Sequence, residues 1–306
     1  MEELYFTFAH QKRLQYGEKV YKLPVNLPAT CPNRDGTKGW GGCIFCGAKG
    51  TGFENLSSSL PVREQLARNR AYIGPKYKAR KFIAYFQNFT NTYFPAEKMY
   101  AYTREAAQGE GVVELCFATR PDCVGKEVLS AIREGAAGKG VCIELGLQSV
   151  NEETLRRINR GHTVEEYVEA VKRIQAFGFQ VGTHLILNLP WDGADMARKA
   201  ARLISGLKID TVKLHTLYIE KGTELGRLYQ EGQIQICSPG DYVQRAADFL
   251  EGLRPDISVQ RLASRVPNGD TIFCNWGMGW WRIRDEICRE LEKRGTRQGE
   301  RWKEAR

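Results

Sequence analysis

Six short runs rich in β-branched and aromatic residues, 20–26, 80–86, 112–118, 141–147, 179–187 and 209–215, recur along the chain with longer amphipathic stretches between them. Strands joined by helical crossovers pair in parallel, so this alternation predicts an α/β fold. The run Val141-Cys142-Ile143-Glu144-Leu145-Gly146-Leu147 is mostly apolar without strict alternation. That is the pattern of a strand covered by helices on one face and by packed residues on the other. The helical candidates are 61–72, 96–108, 124–137, 152–177, 194–206 and 239–253, with Asn151 as an N-cap and Gly178 as a stop. There is no internal repeat and no low-complexity segment. A barrel, open or closed, fits better than a sandwich, and 257–265 reads as one more strand running to a polar end.

In parallel α/β architectures ligands gather at the carboxyl ends of strands. Those positions here hold a cysteine loop, then Gln87 to Tyr93, Thr119-Arg120-Pro121-Asp122, Gln148-Ser149, His184 to Pro190, and Lys213 with His215. The polar residues converge on one rim.

The loop after the first strand places Cys31, Cys43 and Cys46 in a Cys-x11-Cys-x2-Cys spacing around Gly39, Gly41 and Gly42. A structural zinc site normally closes with four protein ligands, whereas an iron-sulfur cubane held by three cysteines keeps one iron open. Glycines let the backbone approach a bulky inorganic core. A zinc ribbon would want a second Cys-x-x-Cys pair, which the sequence lacks. Cys116, Cys142, Cys237, Cys274 and Cys288 lack ligand spacing and read as packing residues, while Cys123 stands at a strand exit. Glu144 lies inside an apolar strand, where an unpaired carboxylate would be costly, and Lys213 is its candidate partner.

The 306 residues are 42% hydrophobic, enough for a large core, and carry a formal net charge of +9. Basic residues crowd the C-terminus, from Arg282 to Arg306, beside Trp276, Trp280 and Trp281. That mixture suits a single-stranded RNA partner, and equally a solvated basic helix with an aromatic cap on the barrel. The N-terminus lacks a signal-peptide pattern and no apolar run is long enough for a bilayer, so the expectation is a cytoplasmic enzyme with reduced thiols and no membrane partner.

The segments Cys31-Pro32-Asn33-Arg34-Asp35-Gly36, Tyr85 to Tyr93, Ala118 to Asp122, Glu144 to Ser149, Ile158-Asn159-Arg160-Gly161-His162 and Thr183 to Leu187 together resemble the radical S-adenosylmethionine (SAM) superfamily. Within it they are similar to the Elp3-like branch and its YhcC/YtqA group. The resemblance implies a partial (β/α)6 TIM-like barrel over 20–220 with the cluster loop at 31–46, an N-terminal extension over 1–19 and a C-terminal extension over 221–306 that contacts substrate or RNA. It implies a [4Fe-4S] cluster on Cys31, Cys43 and Cys46, and SAM cleaved reductively to a 5′-deoxyadenosyl radical. An external electron donor such as flavodoxin or ferredoxin follows from that chemistry. Gln87, Thr90 and Asn91 match the segment that recognises the methionyl amino group, although Gly-Gly-Glu is absent. Gln148 and Arg160 match positions that reach the ribose or carboxylate of SAM, and His184 replaces a position often acidic in relatives. Lys213, His215, Arg261 and Arg265 are substrate candidates, the two arginines suiting a carboxylate or phosphate. The implied substrate is tRNA at its wobble uridine, through an MnmL-like conversion of the 5-carboxymethylaminomethyl to the 5-aminomethyl form. Alternatives are a small metabolite or protein substrate, and a non-catalytic RNA-binding protein with structural zinc.

Overall fold

The computed structural model describes residues 3–47, 50, 55–265 and 270–303. Its elements run α1 (Phe8–Tyr16), β1 (Val20–Val25), α2 (Val62–Tyr77), β2 (Lys81–Phe86), α3 (Ala96–Ala107), β3 (Val112–Thr119), α4 (Lys126–Gly135) and β4 (Gly140–Gln148). There follow α5 (Glu152–Arg157), α6 (Val164–Ala176), β5 (Gln180–Ile186), α7 (Asp195–Gly206), β6 (Thr211–His215) and β7 (Tyr218–Glu220). The last are α8 (Glu224–Gln230), α9 (Pro239–Gly252), β8 (Ser258–Arg261), β9 (Thr271–Cys274) and α10 (Trp280–Arg294).

Seven strands form one sheet in the order β1-β2-β3-β4-β5-β6-β8, every neighbouring pair parallel. Strands β7 and β9 make a separate antiparallel ribbon. The edge strands β1 and β8 are not paired, yet Lys22 on β1 donates to Gln260 on β8 at 2.7 Å. The sheet is therefore curled into a half-barrel whose interior the side chains close. Both faces of a strand are buried, which is why polar alternation is missing. On β2, Phe82, Ala84 and Phe86 face the helices, and Phe86 stacks on Phe117 of β3 at 4.4 Å. Ile83 and Tyr85 group instead with Cys116 and Cys142 on the other face.

Several elements depart from the sequence expectation. The strand expected over 257–265 is present as β8 but shorter, and it is the seventh of the sheet, from within the 221–306 stretch. The helix expected over 152–177 is two helices, because Asn159 and Gly161 take φ of 51° and 70°. Thr163 then restarts the chain with a capping box to Glu166. Helix α2 continues past 72 to Tyr77. Helix α1 caps the amino-terminal end of the barrel: Lys12 Nζ, itself buried, lies 2.6 Å from Glu114, and Tyr16 donates to the same carboxylate at 2.8 Å. Helix α10 packs through Ile283, Ile287 and Leu291, while Arg294 is tied inward to Asp248 (2.8 Å) and Glu290 (2.8 Å). Part of the basic tail is thus structural. Among the described residues no helix is long and apolar enough to cross a membrane.

Candidate active site

The loop leaving β1 turns tightly at its first cysteine, with Arg34 N donating to Cys31 O at 2.7 Å. It closes again where Gly42 N meets Asn33 O at 2.7 Å, and Gly42 has φ of 85°. A side chain there would be strained and would also stand 2.9 Å from Arg34 Nε. The loop is sewn to the turn between α5 and α6. Ile44 N donates to Ile158 O (3.1 Å), Asn33 Nδ2 to Asn159 O (2.5 Å) and Asn159 Nδ2 to Gly42 O (2.9 Å). Arg120, buried and paired with Asp122 at 2.9 Å, holds that turn from the other side by donating to Arg160 O (2.8 Å) and Gly161 O (3.1 Å).

Three side chains aim N–H groups at the sulfurs. Asn33 Nδ2 and Arg160 Nη1 stand 3.9 and 3.6 Å from Cys43 Sγ, and Arg34 Nη2 is 3.5 Å from Cys46 Sγ while also donating to Cys46 O and Gly47 O. Burial pushes the Cys46 thiol up, and Arg34 opposes that shift. All three cysteines are unbridged. Among the described residues no three His, Cys, Asp or Glu side chains group as a single ion requires. Three cysteines on one loop, two of them met by N–H donors that include two guanidinium groups, would suit a cubane held by three protein ligands.

The neighbouring strand ends complete the rim. Thr90 N donates to Thr30 O at 3.2 Å, beside Cys31. Asn91 donates through Nδ2 to Asn88 O and Ala118 O at 2.9 and 3.0 Å, leaving its buried Oδ1 without a partner among the described residues. Gln87 instead donates to Asn55 at 2.8 Å. At the end of β4 a register shift between Gly146 and Gln148 accompanies φ of 72° at Gln148. The freed Gly146 carbonyl accepts from Arg160 Nη2 (2.6 Å) and Nε (3.1 Å) and meets His162 Nε2 (3.1 Å). Arg160 thus bridges the cluster loop and β4.

His184, Lys213 and His215 sit inside the barrel around Glu144, and Arg261 joins them from β8. Glu144 is held by Lys22 of β1 (2.7 Å), Tyr85 of β2 (2.9 Å), His184 of β5 (2.8 Å), Lys213 of β6 (2.8 Å) and Gln260 of β8 (2.6 Å). The expected Glu144–Lys213 pair is present, but as one spoke of a larger hub. Burial alone would raise the Glu144 pKa, yet Lys213 and Lys22 hold it well below the usual range. Burial pushes Lys213 down to about 7 against the pull of Glu144, and pushes His184 down to about 4. Burial and then Arg261 hold His215 well below its ordinary value, so its neutral Nδ1 accepts from Arg261 Nη2 at 2.6 Å. Arg265 lies apart, its guanidinium 5.4 Å from the Trp280 ring.

Sequence reasoning missed Asn33, Arg34, Asn159 and His162 as parts of the loop's support, and Lys22, Tyr85 and Gln260 as parts of the hub. A lysine inside the apolar run 20–26 was the available signal for Lys22.

Residues 29–204 match the Radical SAM superfamily, and residues 209–293 match the Radical_SAM C-terminal domain. The chain belongs to the Radical SAM superfamily. It is 36% identical over 300 residues to the uncharacterized protein YtqA of Bacillus subtilis, covering 97% of this chain and 92% of that one. It is 32% identical over 190 residues to the tRNA uridine(34) acetyltransferase of Methanocaldococcus infernus, covering 60% of this chain and 34% of the relative. The fold superposes on archaeal M. infernus Elp3 with a TM-score of 0.69 at 17% identity, over 91% of this chain and 64% of that one. This radical SAM protein is an enzyme, and its family implies a [4Fe-4S] cluster and SAM.

Proposed function

We propose that this radical SAM enzyme modifies tRNA at the wobble uridine, converting a 5-carboxymethylaminomethyl substituent to 5-aminomethyl. The observation that carries the reading is the three-cysteine loop locked to the α5–α6 turn, on a barrel similar along 190 residues to a tRNA uridine(34) acetyltransferase. Cys31, Cys43 and Cys46 hold the cluster, which with an electron from a flavodoxin- or ferredoxin-like donor supplies the 5′-deoxyadenosyl radical from SAM. Thr90, Asn91, Gln148 and Arg160 line the SAM side of the rim. Arg160 orients through Gly146 and Cys43, and the unpartnered Asn91 Oδ1 is a ready acceptor for an ammonium group. On this reading the 5′-deoxyadenosyl radical would take a hydrogen from the carboxymethyl carbon bonded to nitrogen, the substrate radical would give back the electron that cleaved SAM, and water would hydrolyse the resulting imine to the aminomethyl product and glyoxylate, with SAM as the oxidant.

Support for RNA contact comes from Trp281, which is 57% exposed beside the exposed Arg282. Trp276 does not share that role: its Nε1 donates to Cys237 O at 2.9 Å and its ring packs on Tyr242 and Phe273. This aromatic cap favours, as a second reading, radical chemistry on a small metabolite or protein. Nucleoside mass spectrometry of tRNA with and without the gene separates them. Loss of the 5-aminomethyl form with accumulation of its carboxymethyl precursor is expected, and unchanged wobble nucleosides would remove the tRNA reading.

A further inference from the structure

The half-barrel interior carries more positive charge than its own carboxylate neutralises. Glu144 faces Lys22, Lys213 and Arg261, with His184 and His215 as neutral rings between them. Glu144 is fully engaged by the two lysines and by Tyr85, His184 and Gln260, so it has no oxygen lone pair in a free direction for Arg261. The guanidinium spends one nitrogen on His215, and its Nε is buried with no hydrogen-bond partner among the described residues. A buried N–H of a charged group without an acceptor is costly, and such a group is usually explained by something it is built to receive. Arg261 ends β8, at the carboxyl end of its strand, where ligands of parallel barrels bind. Arg261 is half-buried as a residue at that strand end, with its Nε buried.

We infer that Arg261, backed by His215 and Lys213, receives a carboxylate of the substrate inside the barrel. A guanidinium fork matches a carboxylate in plane and charge. A monoanion suits the layer better than a dianionic phosphate, because Glu144 lies beneath and would repel the second charge. The SAM carboxylate has a different partner at hand in Arg160, which stands 3.6 Å from Cys43 Sγ. This inference rests on the tRNA reading for its substrate, where the carboxymethyl group supplies the anion and the aminomethyl product, a cation, would be repelled by the same residues. The site thus discriminates substrate from product by charge.

The test is binding without turnover, by calorimetry on cluster-loaded protein with SAM and no reductant. The probes are the 5-carboxymethylaminomethyl-uridine nucleoside, its methyl ester and the 5-aminomethyl nucleoside. The free acid should bind at least tenfold more tightly than either of the others. Arg261→Gln should remove that preference, Arg261→Lys should keep part of it, and SAM affinity should stay within about twofold in both. Equal binding of acid and ester to the unsubstituted protein would overturn the inference without needing any variant to fold. So would a fall in SAM affinity with Arg261→Gln, or competition by inorganic phosphate stronger than by acetate. If tRNA profiles are unchanged while the acid preference persists toward N-carboxymethyl amines, the carboxylate site stands and the tRNA reading falls; the converse pair of results separates them the other way.

Discussion

Replacing Glu144 by Gln keeps the shape of the hub and removes its one negative charge. Lys22 and Lys213 then lie at the buried hub, their side chains 21% and 8% exposed, without a counter-ion. Removing one partner of a buried ion pair costs about 3–5 kcal/mol, because the remaining charge is stranded. The two lysines do not respond alike. Lys213 already titrates at about 7, so without the carboxylate it sheds its proton. Each unit by which pH lies below 7 adds about 1.4 kcal/mol to the loss, until the lowered pKa of the variant is reached. Above pH 7 that contribution vanishes and the remainder comes from Lys22 and the weakened hydrogen bonds. Urea unfolding of the two proteins at pH 6 and pH 8 measures both parts as shifts in midpoint at constant slope. The expected loss is about 1.4 kcal/mol larger at pH 6 than at pH 8, and adding Lys213→Met to Glu144→Gln should restore stability at pH 6. A loss below about 1 kcal/mol, or one independent of pH, would refute the stranded-charge argument.

Four further outcomes follow from the same geometry. Lys213 binds fewer protons folded than unfolded between about pH 7 and its ordinary value of 10.5, so stability should rise with pH across that window, and Lys213→Met should flatten the rise. Asn159→Ala removes the amide that ties Gly42 O and unsettles the φ of 51° at that turn, so iron retained after gel filtration should fall severalfold while the far-UV circular dichroism is kept. Trp276→Ala, which empties a packed position, should cost about 3–5 kcal/mol, whereas Trp281→Ala on the surface should change stability by under ~0.5 kcal/mol and weaken tRNA retention on a filter. Lys12→Met should lower the thermal midpoint by stranding Glu114 at the barrel floor, and Glu114→Gln in the same chain should recover part of it.

The strands were legible because their apolar runs are long and bounded: six expected ranges lie within two residues of β1 to β6, while the seventh, 257–265, overruns β8 by four residues at its end. The helices at the two ends of the chain were not. Helix α1 presents Lys12 to the interior, and a hydrophobic pattern does not register a buried lysine. Helix α10 carries its apolar residues at 283, 287 and 291, a helical spacing that the surrounding arginines obscured. The break at 159–161 was written in Asn159 and Gly161, residue types that tolerate left-handed backbone. At the site, cysteine spacing pointed to the loop directly, but the contacts of Asn33, Arg120 and Arg160 link residues far apart in sequence and depend on how the turn after α5 folds back. The hub shows the same limit. Glu144 asked for one cation, and only the curl of the sheet brings five strands to it.

The proposed function rests on reductive cleavage of SAM at a cluster held by Cys31, Cys43 and Cys46. Anaerobic reconstitution with iron and sulfide, followed by a reductant and SAM, measures it through 5′-deoxyadenosine. The expected result is about four iron and four sulfide per chain, steady formation of 5′-deoxyadenosine, and loss of both with Cys43→Ala in a protein that still folds. Colourless protein carrying stoichiometric zinc, or equal 5′-deoxyadenosine formation by the Cys43→Ala protein, would contradict it.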